Sequence, residues 1–157
     1  MSTIAEILNL LRAEGKTIST AESITTGYLQ SMLASVSGAS DVFKGGITAY
    51  TLPVKVELLN VDEVLAKKTN CIEEEIACQM AQGALKLFKT DYAIATCGYA
   101  EIDEGNPYAF FAIAEAPTSI LYSNRIELHG DRIAAQKQTA KHALEKLHKL
   151  LQSLPSG

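Results

Sequence analysis

The chain has 157 residues, a formal net charge of −4, 47% hydrophobic residues and 20% charged ones. A folding unit of that length buries roughly 70% of its unfolded surface, so one domain spanning residues 1–157 is expected. The acidic balance argues against a nucleic-acid surface, where Lys and Arg cluster, and no apolar run approaches the ~18 residues that cross a bilayer. Neither nucleic acid nor a membrane is an expected partner. The first residues, MSTIAEILNLLRAEGK, lack a basic n-region and a small-residue cleavage site, so a cytoplasmic location is expected.

Cys71, Cys78 and Cys97 are odd in number and irregularly spaced, which fits neither a disulfide framework nor a CxxC metal pattern. Three reduced thiols are expected. His129, His142 and His148 are equally scattered, and the last two belong to a polar segment where solvation is expected. A zinc site needs its ligands in close groups, so no metal and no cofactor is expected.

In chain order, Ile4, Ile7, Leu8, Leu10 and Leu11 recur at helical spacing before Gly15, a suitable C-cap. Thr17–Ala21 is a short β-rich run. Tyr28, Leu29, Met32 and Leu33 predict a helix over Thr25–Ser35, and residues 37–41 are a turn cluster. Phe43–Tyr50 reads as a strand, after which Pro53 opens a short helix carrying Lys55, Leu58 and Leu59. Residues 61–70 predict a short helix plus loop. Ile72–Phe88 is the clearest helix, with Glu73, Glu74 and Glu75 at its positive end and Lys86 and Lys89 at the other. Tyr92–Cys97 is a buried-strand pattern, residues 98–107 a loop, and Tyr108–Ala114 and Ser119–Leu128 two further strands. A long helix closes the chain from 131 to about 153. Strands alternating with helices, with two adjacent strands late, predict an α/β domain of three layers, α/β/α, around a mixed sheet.

Familiar catalytic signatures are missing: there is no GxGxxG, GxxxxGK[ST], GxSxG or SxxK, and no histidine is placed for a triad. A Ser/Tyr/Lys set remains. A serine hydroxyl needs a base to take its proton, and a lysine serves when burial keeps its amine neutral. Lys55 lies among Leu52, Val54, Val56 and Leu58, a partly apolar setting, and Tyr50 lies five residues earlier, where it could relay a proton. Each has an ordinary reading too. Ser23 suits a helix N-cap, although Thr25 or Thr26 could cap instead; Lys55 suits a solvated strand end, and Tyr50 an amphipathic core position.

The motifs T-A-E-S-x-T-x-G at 20–27, G-x-S at 38–40, F-x-x-G at 43–46, T-x-Y-x-x-x-x-K at 48–55 and L-L-x-V at 58–61 occur in that order. M-A-x-G-A-L at 80–85, D-Y-A at 91–93 and G-D-R at 130–132 follow. Together they resemble the CinA C-terminal domain family, over nearly the whole chain and in its stand-alone form. The resemblance implies an α/β fold and hydrolysis of nicotinamide mononucleotide to nicotinate mononucleotide and ammonia. It implies Ser23 as nucleophile, Lys55 as general base and Tyr50 as assisting acid/base. Thr25, Thr26, Gly27, Ser40, Gly98 and Arg132 are the implied substrate-binding positions. Backbone N–H groups from Ile24 to Gly27 would hold an oxyanion or a phosphate, and Arg132 would pair with the phosphate. The partner is then a small-molecule nucleotide, and the assembly a homo-oligomer, most simply a two-fold dimer.

Two stretches depart from the family pattern. The family reads T-A-E-S-C-T-G-G where this chain has Ile24 and Thr26. Its glycine-rich loop after the strand ending at Cys97 is replaced by residues 98–109, which carry Glu101, Asp103 and Glu104. Facing a pocket, those carboxylates would disfavour a phosphate; facing solvent, they would not. Two functions follow: an active amidohydrolase, or a catalytically silent relative that senses a ligand or binds a protein. A Tyr/Lys oxidoreductase fits poorly, because the Tyr–Lys spacing is one residue too long and no dinucleotide loop is present.

Overall fold

The computed structural model describes residues 2–100 and 105–155. It contains helices α1 (Thr3–Ala13), α2 (Tyr28–Leu33), α3 (Leu52–Leu59), α4 (Glu63–Thr69), α5 (Glu74–Phe88) and α6 (Arg132–Ser153). The strands are β1 (Ile18–Glu22), β2 (Phe43–Thr48), β3 (Tyr92–Tyr99), β4 (Tyr108–Glu115) and β5 (Ser119–Glu127). They form one mixed sheet in the order β2-β1-β3-β4-β5. β1 is parallel to β2 and β3; β4 is antiparallel to β3 and β5. The expected three-layer α/β/α arrangement is present.

The helix ends follow local chemistry. The Ser2 hydroxyl accepts from Ala5 N–H at the start of α1, and Asp131 does the same for α6 through Ala134 N–H. Gly15, at φ +66°, takes the left-handed turn that lets Lys16 N–H reach back to the Leu11 carbonyl.

Alternate residues of the central strands face opposite layers. Tyr92, Ile94, Phe111 and Ile113 meet α1, α2 and α6, where large side chains fill the space. Ala93, Ala95, Ala112 and Ala114 face α5, so that helix lies close to the sheet. The α5 helix also seats α3: a Cβ on Gly83 would strike the Leu59 carbonyl. This contact holds α3, and with it Lys55, against the layer below.

The connection from β1 through α2 leads to β2 on one side. The chain then returns through α3, α4 and α5 to β3 on the other side of β1. The carboxyl ends of β1 and β3 therefore flank the switch point of the sheet, where α/β folds open a crevice for ligands.

Several local expectations are corrected. The helix expected from Thr25 begins only at Tyr28, because Thr26 and Gly27 both have positive φ, +46° and +104°. The loop expected from residue 98 begins later, since β3 runs on to Tyr99 in register with Tyr108. His148 is not solvated: its side chain is 16% exposed and its Nε2 is buried 2.7 Å from Glu6 Oε2 of α1, without hydrogen-bond geometry. Glu101, Asp103 and Glu104 lie outside the described residues. Among the described residues no helix is long and apolar enough to cross a membrane, and no group of His, Cys, Asp or Glu is arranged to hold a metal ion.

Candidate active site

Ser23 follows the last residue of β1 directly, at the switch point, and is 8% exposed. Its carbonyl accepts from Thr26 N–H at 3.2 Å, and its own N–H donates to Thr96 Oγ1 of the neighbouring β3 at 3.3 Å. The turn is thus pinned to two strands. Thr26 occupies the left-handed conformation that glycine takes freely, and a β-branched residue there costs about 1 kcal/mol or more.

Glu22 builds the turn. Its side chain is fully buried, with Oε1 accepting from Thr25 Oγ1 at 2.7 Å, Gly27 N–H at 3.0 Å and Leu29 N–H at 2.9 Å. Oε2 accepts from Gln30 N–H at 3.0 Å. The carboxylate therefore fills the positive end of α2, which has no ordinary side-chain cap. Ser23 is not the cap, and neither is Thr25 or Thr26. An anion site at this helix end is also ruled out by occupancy: the Gly27 amide is already spent on Glu22. Among the backbone donors expected to hold an oxyanion, Ile24 N–H is the one beside Ser23 that no described group takes while its residue lines the crevice.

Lys55 rises from α3 and is 1% exposed, the largest fully buried side chain among the described residues. Its Nζ lies 3.0 Å from Ser23 Oγ and 2.7 Å from the Tyr50 carbonyl oxygen. Among the described residues no carboxylate pairs with it. Burial lowers its pKa from the usual lysine value, partly offset by the nearby Cys71 and Cys97. When neutral, the amine donates one N–H to the Tyr50 carbonyl and turns its lone pair to the serine O–H. That is the arrangement a general base requires.

Tyr50 enters differently from the expected role. Its backbone carbonyl orients the lysine, while its side chain is 54% exposed and its hydroxyl bonds neither Ser23 nor Lys55. Tyr50→Phe is therefore expected to leave kcat within about threefold of wild type in a steady-state assay, a far smaller change than the 10²–10⁴ that a lost acid/base group causes.

The crevice has a volume of about 540 Å³, within the range of small-molecule sites. Ser23, Lys55 and Gly98 line it, as do two further cations, Lys67 and Arg132, and the exposed ring of Tyr50. No carboxylate lines it among the described residues. Lys67 also pairs with Glu63 on its own helix, at 3.0 Å. Gly98 is required by close approach: a Cβ there would lie 2.6 Å from Ala109 Cα and the Tyr108 carbonyl.

The remaining expected positions divide. Thr25 is fully buried and bonds Glu22 and Thr96, so it positions the turn and touches no ligand space. Thr26 and Gly27 border a shallower hollow next to the crevice. Ser40 is not brought to the site: it precedes β2, whose first residue pairs with Ile18, at the opposite end of β1 from Ser23. Glu22, Thr96 and Gln136 were not singled out from the sequence. Glu22 stands inside the T-A-E-S motif, where a carboxylate just before a helix start was the available signal. Thr96 and Gln136 carry no local signal, because only the sheet and α6 bring them here.

A serine hydroxyl beside a buried lysine amine, at the switch point of a mixed α/β/α sheet, defines the class of domain. The CinA C-terminal domain model matches residues 1–151, and the chain belongs to that family. It is 35% identical over 150 residues to a CinA-like protein of Thermotoga neapolitana, and 36% identical over 151 residues to one of Picosynechococcus. In both cases the match covers 92% of this chain and 36% of the relative, so the chain spans about a third of their length. Among solved structures, competence damage-inducible protein A of Klebsiella pneumoniae aligns with a TM-score of 0.90 at 25% identity, covering 98% of this chain and 97% of that one. The competence/damage-inducible protein CihA of Agrobacterium tumefaciens aligns at 0.82 with 26% identity, covering 98% of each.

Proposed function

We propose that the crevice hydrolyses the carboxamide of nicotinamide mononucleotide, giving nicotinate mononucleotide and ammonia. The observation that carries this reading is the 3.0 Å contact between Ser23 Oγ and a lysine amine that burial keeps toward its neutral form. Neutral Lys55 takes the Ser23 proton as Oγ attacks the carboxamide carbon, and the oxyanion forms beside Ile24 N–H. The C–N bond breaks as the Lys55 ammonium returns that proton to the leaving nitrogen, releasing ammonia and an ester on Ser23. A water then gives its proton to Lys55 and attacks the ester. Oγ leaves and recovers the proton, restoring the starting state.

The substrate class rests on the cations. Lys67 and Arg132 both line the crevice and are the side-chain types that bind a phosphate, Lys67 in exchange for its exposed pairing with Glu63. The partner is then a small nucleotide, and a two-fold homodimer is the simplest assembly. The reading is tested by ammonia release from nicotinamide mononucleotide and from free nicotinamide. Turnover with kcat/KM at least 100-fold higher for the mononucleotide is expected. A folded protein that releases no ammonia from the mononucleotide would refute hydrolysis and favour a ligand-sensing role for the same crevice.

A further inference from the structure

Gln136 lies one turn along α6 from Arg132 and is 9% exposed. It borders two hollows at once: the crevice that holds Ser23, and the shallower one formed by Thr26, Gly27, Tyr28, Ser31 and Ile133. Among the described residues no group hydrogen-bonds its carboxamide. The rest of the residue is packed away while the carboxamide itself stays open to the crevice rather than sealed in the protein. A ligand that displaces solvent there must replace the hydrogen bonds of this amide.

The chemistry of the amide narrows what it reads. Lys67 and Arg132 offer donors only, which suits phosphate oxygens. A carboxamide both donates and accepts, which suits a group that also does both, such as a sugar hydroxyl. The anionic end of a ligand and the reacting amide are already provided for by other residues. On the basis of the function proposed above, we infer that Gln136 is a specificity-determining residue that hydrogen-bonds the sugar hydroxyls of the nucleotide substrate.

The test compares ammonia release from nicotinamide mononucleotide and from its 2′,3′-dideoxy analogue, using wild type, Gln136→Leu and Gln136→Met. Wild type should prefer the hydroxylated substrate about tenfold in kcat/KM. Gln136→Leu should raise KM for that substrate about tenfold, hold kcat within about threefold, and abolish the preference. Gln136→Met keeps the length of the side chain without its polar amide, so it should show the same rise in KM and the same loss of preference; it decides the matter should the leucine variant fail a thermal-unfolding check. Equal use of both substrates by wild type, or an unchanged preference in a folded variant, would overturn the inference and leave the hydrolytic function standing. No ammonia from either substrate would overturn the hydrolytic function. Calorimetric binding of the same two ligands to wild type would then judge Gln136 separately, with equal affinity or no binding counting against it.

Discussion

Lys55→Met should lower turnover by about 10³-fold or more while making the protein more stable. The side chain is replaced by one of similar length that needs no solvation, and the hydrogen bonds removed are those to Ser23 and the Tyr50 carbonyl. Loss of a general base costs 10²–10⁴ in rate. The gain in stability, about 1 kcal/mol, is on the scale at which residues of working sites trade stability for activity. Its pH dependence has a definite sign. The folded-state pKa of Lys55 is depressed by burial, so between that value and the ordinary lysine value of about 10.4 the unfolded chain binds more protons than the folded one. Wild-type stability therefore rises with pH through that window, and the advantage of Lys55→Met is largest below it and shrinks toward pH ~10. Thermal unfolding of both proteins across this range checks the trend. The wild-type rate should rise with pH through the same depressed pKa, since the neutral amine is the active form.

Glu22→Ala should cost about 3–5 kcal/mol of stability. The carboxylate satisfies three backbone N–H groups and the Thr25 hydroxyl in a fully buried position, and each buried donor left without an acceptor costs about 1–3 kcal/mol. Glu22→Gln should cost less, about 1–2 kcal/mol, because one oxygen remains while the amide NH₂ faces a backbone donor. Denaturant unfolding ranks the two. Both variants should also lose activity beyond their loss of fold, because Ser23 is the next residue and its turn is held in place by this carboxylate.

How much of this was legible in the sequence follows from where each signal resides. The layers of the fold were readable, because strand and helix periodicities are local properties of runs such as Tyr92–Cys97 and Ile72–Phe88. The nearness of Ser23 and Lys55 was not a local property. They are 32 residues apart, and the ordered motifs of the CinA family pointed to both, while the fold showed the distance. The T-A-E-S motif drew attention to its serine, yet its glutamate determines the turn, and that became visible only when the amides of Gly27, Leu29 and Gln30 were found converging on one side chain. Ser40 was misplaced for a related reason: its motif shares a connection with the site but precedes β2, while ligands gather at the strands' other ends. Tyr50 was read as a side chain when its carbonyl makes the contact, a distinction no residue pattern carries.

The most direct measurement is ammonia release from nicotinamide mononucleotide by Ser23→Ala beside wild type, with binding of the same nucleotide followed by calorimetry. Ser23 acting as the nucleophile predicts a loss of turnover of about 10³-fold or more in the variant, with the nucleotide still bound to within a few-fold of wild-type affinity. A folded Ser23→Ala protein that kept turnover within tenfold of wild type would contradict it.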